Sequence, residues 1–177
     1  MATIDNKSSN IKEMDYKLNN IKNLFSLNVS IINGFSSTNK SNLHNNNSFQ
    51  YNTSSTNLNF ICINTDNEII IDYRIFKLVA TQQSYPNIIQ IIVDTIEKVL
   101  FESDLFTIHL CLKSLTLKEL ENYYPFIRIV TETLKTKYTD KLEKCYIYNA
   151  PFIFAQVISL VSKIVDKKTQ QKMIIVK

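Results

Sequence analysis

The chain contains one glycine, Gly34, and no tryptophan. Loops that cradle phosphates and dinucleotide fingerprints both need several glycines at fixed spacing, because only glycine lets the backbone approach the phosphates closely. Neither device can be built from this sequence. Histidine is almost as scarce: His44 stands in a polar tract and His109 in an apolar, strand-like run. There is no histidine cluster for a metal, and no Cys–His pair close in sequence for nucleophilic catalysis. His109 reads as a packed strand residue. The three cysteines, Cys62, Cys111 and Cys145, form no CxxC pair and all sit in apolar runs. They read as buried small apolar residues rather than disulfides or metal ligands. No apolar run approaches the roughly 20 residues of a membrane span, and the start, MATIDNKSSN, lacks the basic-then-apolar pattern of a secretory signal. A cytoplasmic protein without a cofactor is expected, and no constellation of nucleophile, base or metal points to an enzyme.

What is present suffices for one folded domain. Of 177 residues, 45% are apolar, enough to bury a core. Residues 11–27 place Ile11, Met14, Leu18, Ile21 and Phe25 at spacings of three and four, which predicts an amphipathic helix. Docking on the domain, binding a partner and lying on a membrane all remain open for it. Residues 36–59 are mostly Asn and Ser. They offer too little apolar surface to offset the entropy of ordering, so a disordered linker is expected there. The division is thus 1–58, helix and linker, followed by a domain over 59–177.

Within that domain, Phe60–Ile63 and a run from Ile69 to Leu78 flank Thr65-Asp66-Asn67 and read as a β-hairpin. Tyr85-Pro86 opens a helix that buries Ile88, Ile92, Ile96 and Val99. Residues 106–112 read as a strand. Thr116 and Glu119 form a capping-box pattern at the head of the next helix, and Pro125 predicts a break or kink at Tyr124. Cys145–Tyr148 reads as a strand, Phe152–Ile164 as a helix with one apolar face, and Lys172–Val176 as a last strand. Apolar strands alternating with helices belong to a covered, mostly parallel sheet.

The segment from Tyr138 onward carries a resemblance. Tyr138, Leu142, Lys144, Tyr146, Ile147, Asn149, Ala150, Pro151 and Phe154, followed by Asp166, Thr169, Lys172 and Ile174, stand in one register similar to the carboxyl-terminal half of the Sec14-like, or CRAL-TRIO, lipid-binding domain. Leu112-Lys113 falls where that family has Asp-Leu-Lys-Gly-Ile, with Cys111 and Ser114 replacing the Asp and Gly. The resemblance implies an α/β fold, with a mixed, mostly parallel sheet flanked by helices, shortened at the carboxyl end relative to the family. It implies non-enzymatic binding or transfer of a phospholipid, with a phosphoinositide favoured, in an apolar cavity under a gate helix.

By register the headgroup residues are Asp140, Thr169 and Lys172. Leu110, Leu112, Phe152, Phe154, Ile158 and Val161 are then candidates for the acyl-chain pocket and gate. Lys172 would neutralise a phosphodiester, Thr169 would hydrogen-bond it, and Asp140 would accept from inositol hydroxyls. The same residues also fit plainer roles: a turn cap, a helix cap and a solvated strand end. From Lys135 onward, nine lysines face three acidic residues. That excess suits an anionic membrane surface and a peripheral location, or simply a solvated face. With a net charge of only +4, nucleic acid is not the expected partner. The short hairpin followed by one helix also resembles a divergent branch of the family that binds small GTPases as a scaffold without lipid.

Overall fold

The computed structural model describes residues 15–23, 25, 60–65, 67–152, 155, 158–159 and 162–176. The chain divides into two compact units, Met1–Thr56 and Asn57–Lys177. In the first, residues 15–23 and Phe25 are helical, in keeping with the spacing of Leu18, Ile21 and Phe25. The Asn/Ser-rich stretch expected as a linker lies outside the described residues.

The second unit is a five-stranded sheet with helices. In chain order it comprises β1 (Ile61–Thr65), β2 (Glu68–Asp72), α1 (Tyr73–Val79), a 3-10 turn at Gln82–Ser84, α2 (Tyr85–Glu102), β3 (Phe106–Cys111), α3 (Leu117–Lys137), β4 (Leu142–Tyr148), α4 (Lys167–Gln171) and β5 (Met173–Val176). Spatial order follows chain order. β1 and β2 form the antiparallel hairpin, and β2, β3, β4 and β5 run parallel.

Parallel register sorts the side chains into two faces, because neighbours along a strand alternate. Ile69, Ile108, Cys145 and Met173 align in one row, and Ile71, Leu110, Ile147 and Ile175 in the next. This face is apolar throughout. On the other face, Ile70, His109, Tyr146 and Ile174 align. There His109 stacks on Tyr146, with centroids 5.1 Å apart, and its Nδ1 lies 2.8 Å from the Tyr148 hydroxyl.

Three expectations are corrected. The run from Ile69 to Leu78 is not one strand: β2 stops at Asp72, whose carboxylate accepts the Arg74 N–H at 2.9 Å and caps α1. The β-rich composition of Tyr73–Val79 hid the cap. Of the break or kink expected at Tyr124, the break is absent: α3 continues through Pro125. Glu121, whose carbonyl loses its partner, and Pro125 itself are both exposed, so water can take the freed carbonyl. Cys62 is exposed, unlike Cys111 and Cys145, because β1 is an edge strand and only Ile61 of its residues is buried.

Candidate functional site

A cavity of about 660 Å³ lies between the apolar face of the sheet and the inner sides of α2 and α3. Its floor is Ile69, Ile71, Ile108, Leu110, Cys145 and Ile147. From α3 it takes Leu120, Tyr123, Ile127, Val130, Thr131 and Leu134, a stripe at spacings of three and four along one face of the helix.

Burial on the central strand shows what this does. Thr107 and His109 are 6% and 2% exposed, yet their apolar neighbours Ile108 and Leu110 are only half-buried. In an ordinary solid interior the order would be reversed. The apolar side of β3 therefore faces space instead of side chains. Burial also pushes the Cys145 thiol up to about 12, so it stays protonated and behaves as part of the wall.

Topology makes the two ends of the cavity different. α3 runs from the carboxyl ends of the strands, at Leu117, back to their amino ends, at Lys137, so the loop residues before β4 and β5 meet at one end. There Lys135, Asp140, Asp166, Lys168, Thr169 and Lys172 line the cavity. At the other end stand Phe60, Tyr73, Phe76 and Leu115. The result is an apolar space with one polar end holding three lysines and two aspartates.

Each polar group is held locally. Asp140 has left-handed backbone, φ 65°, in the turn before β4, and its carboxylate meets the Lys168 ammonium. The ion pair with Lys168 holds the Asp140 carboxyl below the usual carboxylate range. Asp166 caps α4, accepting the Thr169 N–H at 2.8 Å and the Thr169 hydroxyl at 3.0 Å. These bonds likewise depress the Asp166 carboxyl. Lys172 donates to the carbonyl of Leu142. Tyr138 lies beside them, its hydroxyl 3.2 Å from Glu97 on α2. Burial and that carboxylate push the phenol up to about 12.

The three headgroup candidates from sequence, Asp140, Thr169 and Lys172, thus share one end of one cavity. Leu110 and Leu112 line it too. Phe152 does not: β4 ends at Tyr148, Asn149 takes a left-handed turn with φ 52°, and Phe152 beyond it is 99% exposed. Ile158 is helical and half-buried. Phe154 and Val161 lie outside the described residues, as do four more of the thirteen positions of the expected gate helix, while Ile164 and Val165 line the cavity. Sequence reasoning missed Lys135 and Lys168 at the polar end and the α3 stripe along the wall. The stripe was visible as spacing, but only the topology shows that it faces a space. Among the described residues no group of three His, Cys, Asp or Glu could hold a metal ion, and no helix is long and apolar enough to cross a membrane.

The CRAL/TRIO domain model matches residues 63–177. This chain belongs to the CRAL/TRIO family. No curated protein matches it. Among solved structures the CRAL/TRIO unit is similar to the crystal structure of Sfh5, with 19% identity, 61% of this chain and 41% of that chain covered, and a TM-score of 0.52. At that identity the likeness concerns the fold, and this chain spans about two fifths of the length of that structure. The mixed, mostly parallel sheet is the Sec14-like arrangement. CRAL/TRIO membership implies binding or transfer of a lipid or other small hydrophobe.

Proposed function

We propose that this CRAL/TRIO chain binds a phospholipid, with phosphoinositides the favoured class, and carries it to and from a membrane surface without catalysing a reaction. The observation that carries the reading is the cavity of about 660 Å³ with apolar walls and a single polar, lysine-bearing end. Such a shape sorts an amphiphile by itself. Acyl carbons gain roughly 0.8 kcal/mol per methylene removed from water, whereas a phosphate at the apolar end would be desolvated without a partner. The phosphate therefore belongs beside Lys172 and Lys168, with Thr169 as a hydroxyl donor. Asp140 can accept from inositol hydroxyls once Lys168 turns to the phosphate.

The lysines of the carboxyl-terminal third support approach to an anionic surface. A scaffold that binds only a small GTPase or another protein has no use for an unfilled interior, so the open cavity favours the lipid reading. Lipid extraction and native mass spectrometry of the purified protein test it. A stoichiometric phospholipid that is lost in Lys172→Ala is the expected result. An empty, folded protein that takes up no phospholipid from vesicles overturns it.

A further inference from the structure

We infer that the Thr131 hydroxyl donates a hydrogen bond to an acyl-ester carbonyl of the ligand, so that the cavity selects ester-linked phospholipids over their ether-linked counterparts. This rests on the reading of the cavity as a phospholipid site and deepens it. Along α3 the cavity wall changes character. Ile127 and Val130 belong to its apolar stretch, and Lys135 stands at the polar end. Thr131 lies between them, half-buried, one helical turn from Ile127 on one side and from Lys135 on the other.

A threonine inside a helix can turn its hydroxyl back to the carbonyl four residues earlier. Thr133 and Thr136 of α3 and Thr139 just beyond it all do so, bonding the carbonyls of Ile129, Glu132 and Lys135 at 2.8 Å. Thr131, the one threonine of α3 that lines the cavity, does not. Among the described residues nothing hydrogen-bonds its hydroxyl. It is not sealed away either: the partnerless buried side-chain atoms among the described residues are the Tyr73 hydroxyl and His109 Nε2. The Thr131 hydroxyl is therefore free to bond what enters the cavity.

A lipid that fills the cavity displaces water from this hydroxyl, and a hydroxyl desolvated without a partner opposes binding. Methylenes offer no acceptor. The ligand has to present one at the level of Thr131, which is four residues from Lys135, about 6 Å along the helix at about 1.5 Å per residue. In a diacyl glycerophospholipid five bonds separate the phosphorus from the carbonyl carbon of the middle ester; at about 1.2 Å per bond, since about 3.5 Å of extended backbone spans three bonds, that is about 6 Å. A phosphate beside the lysines thus brings an ester carbonyl to Thr131. An ether-linked lipid has no carbonyl there.

The test offers the full-length protein dioleoyl phosphatidylinositol and its di-ether analogue, alike in head and chain length, at equal concentration in the same detergent micelles. Native mass spectrometry reads the occupancy by each. The ester form should occupy the unmodified protein about fivefold more than the ether form. Thr131→Val, which keeps the shape and removes the hydroxyl, should bring the ratio near one by losing ester binding alone; Thr131→Ala is a second hydroxyl-free variant, and Thr131→Ser should keep the preference. Equal occupancy by the two lipids in the unmodified protein overturns the inference and leaves the phospholipid reading standing. So does a preference that persists without the hydroxyl. Binding of neither lipid by the unmodified protein overturns both.

Discussion

Asp140 and Lys168 meet at the polar end of the cavity with carboxylate oxygen and ammonium nitrogen 2.5 Å apart. The pair ties the turn before β4 to α4, and it occupies the ammonium that a phosphate would need. On the proposed reading, a ligand headgroup would exchange with Asp140 for Lys168. Asp140→Asn removes the competitor while keeping hydrogen-bonding capacity. Binding of vesicles with anionic lipid of any head should rise several-fold, while the preference for inositol over glycerol heads should fall. Flotation assays with the two vesicle types measure both. Unchanged selectivity would remove Asp140 from the headgroup site.

The same pair has a pH signature. Its Asp140 carboxyl is depressed below the ordinary 3.8, so its contribution is fully present above that value and is lost as pH falls through the depressed one. The exchange with a lipid phosphate should therefore be insensitive to pH between 5 and 8. A binding curve that changes severalfold across that range would implicate another titrating group.

Among the described residues His109 is the one histidine, and its shift should give stability a pH dependence near neutrality. Burial pushes its imidazole below 6.5, with Glu68 pulling weakly the other way. The unfolded chain therefore binds a proton that the folded chain refuses, so stability falls as pH drops from about 7 through the depressed value. Urea unfolding at steps between pH 5 and pH 7 should show this slope. His109→Phe, which can keep the stacking on Tyr146, should flatten it whatever its absolute stability. A slope that persists in the variant would assign the effect elsewhere.

How much of this was legible in the residues depended on whether the signal was local. The Thr116–Glu119 box, the proline-started helix at Tyr85 and the hairpin around residues 65–67 are decided by neighbours a few positions apart, and all three stand in the structure. Tyr73–Val79 was misread because its aromatic and β-branched residues suit a strand, while the deciding feature is one carboxylate, Asp72, capping the turn. Cys62 was misplaced because an edge strand and a central one have the same composition. Asp140, Thr169 and Lys172 were selected by family resemblance; their local bonds to Lys168, Asp166 and Leu142 would not have singled them out. Lys168 joins them because α4 is one short turn that brings it near Lys172, a consequence of three-dimensional closure. A cavity leaves no sequence mark at all: Ile108 and Leu110 look like core residues, and only the stand-off of α3 leaves them half-buried.

The buried pair Asp72–Arg74 should dominate stability at the junction of β2 and α1. Asp72 is 2% exposed; it caps α1 and accepts from Arg74 Nε at 3.0 Å and Nη2 at 2.6 Å. Asp72→Ala removes the cap and strips a buried guanidinium of its bidentate partner, at a cost of about 3–5 kcal/mol. Chemical denaturation measures it. A loss below about 1 kcal/mol would mean that the pair is solvated in solution.

Leu110→Trp separates a hollow from a solid interior. In a close-packed core, added ring atoms force neighbours off their rotamers and cost about 1–3 kcal/mol. Here Leu110 points into a space of about 660 Å³, so the larger side chain has room and its added apolar surface is buried at about 25 cal/mol per Å². Stability should hold or rise. The same ring blocks the path along the floor between Ile108 and Ile147, so uptake of phospholipid from vesicles should fall by tenfold or more. Thermal unfolding and lipid uptake measured on one preparation give the two numbers. A destabilised variant that still loads lipid would show that the space beneath α3 is filled in solution and that the ligand sits elsewhere.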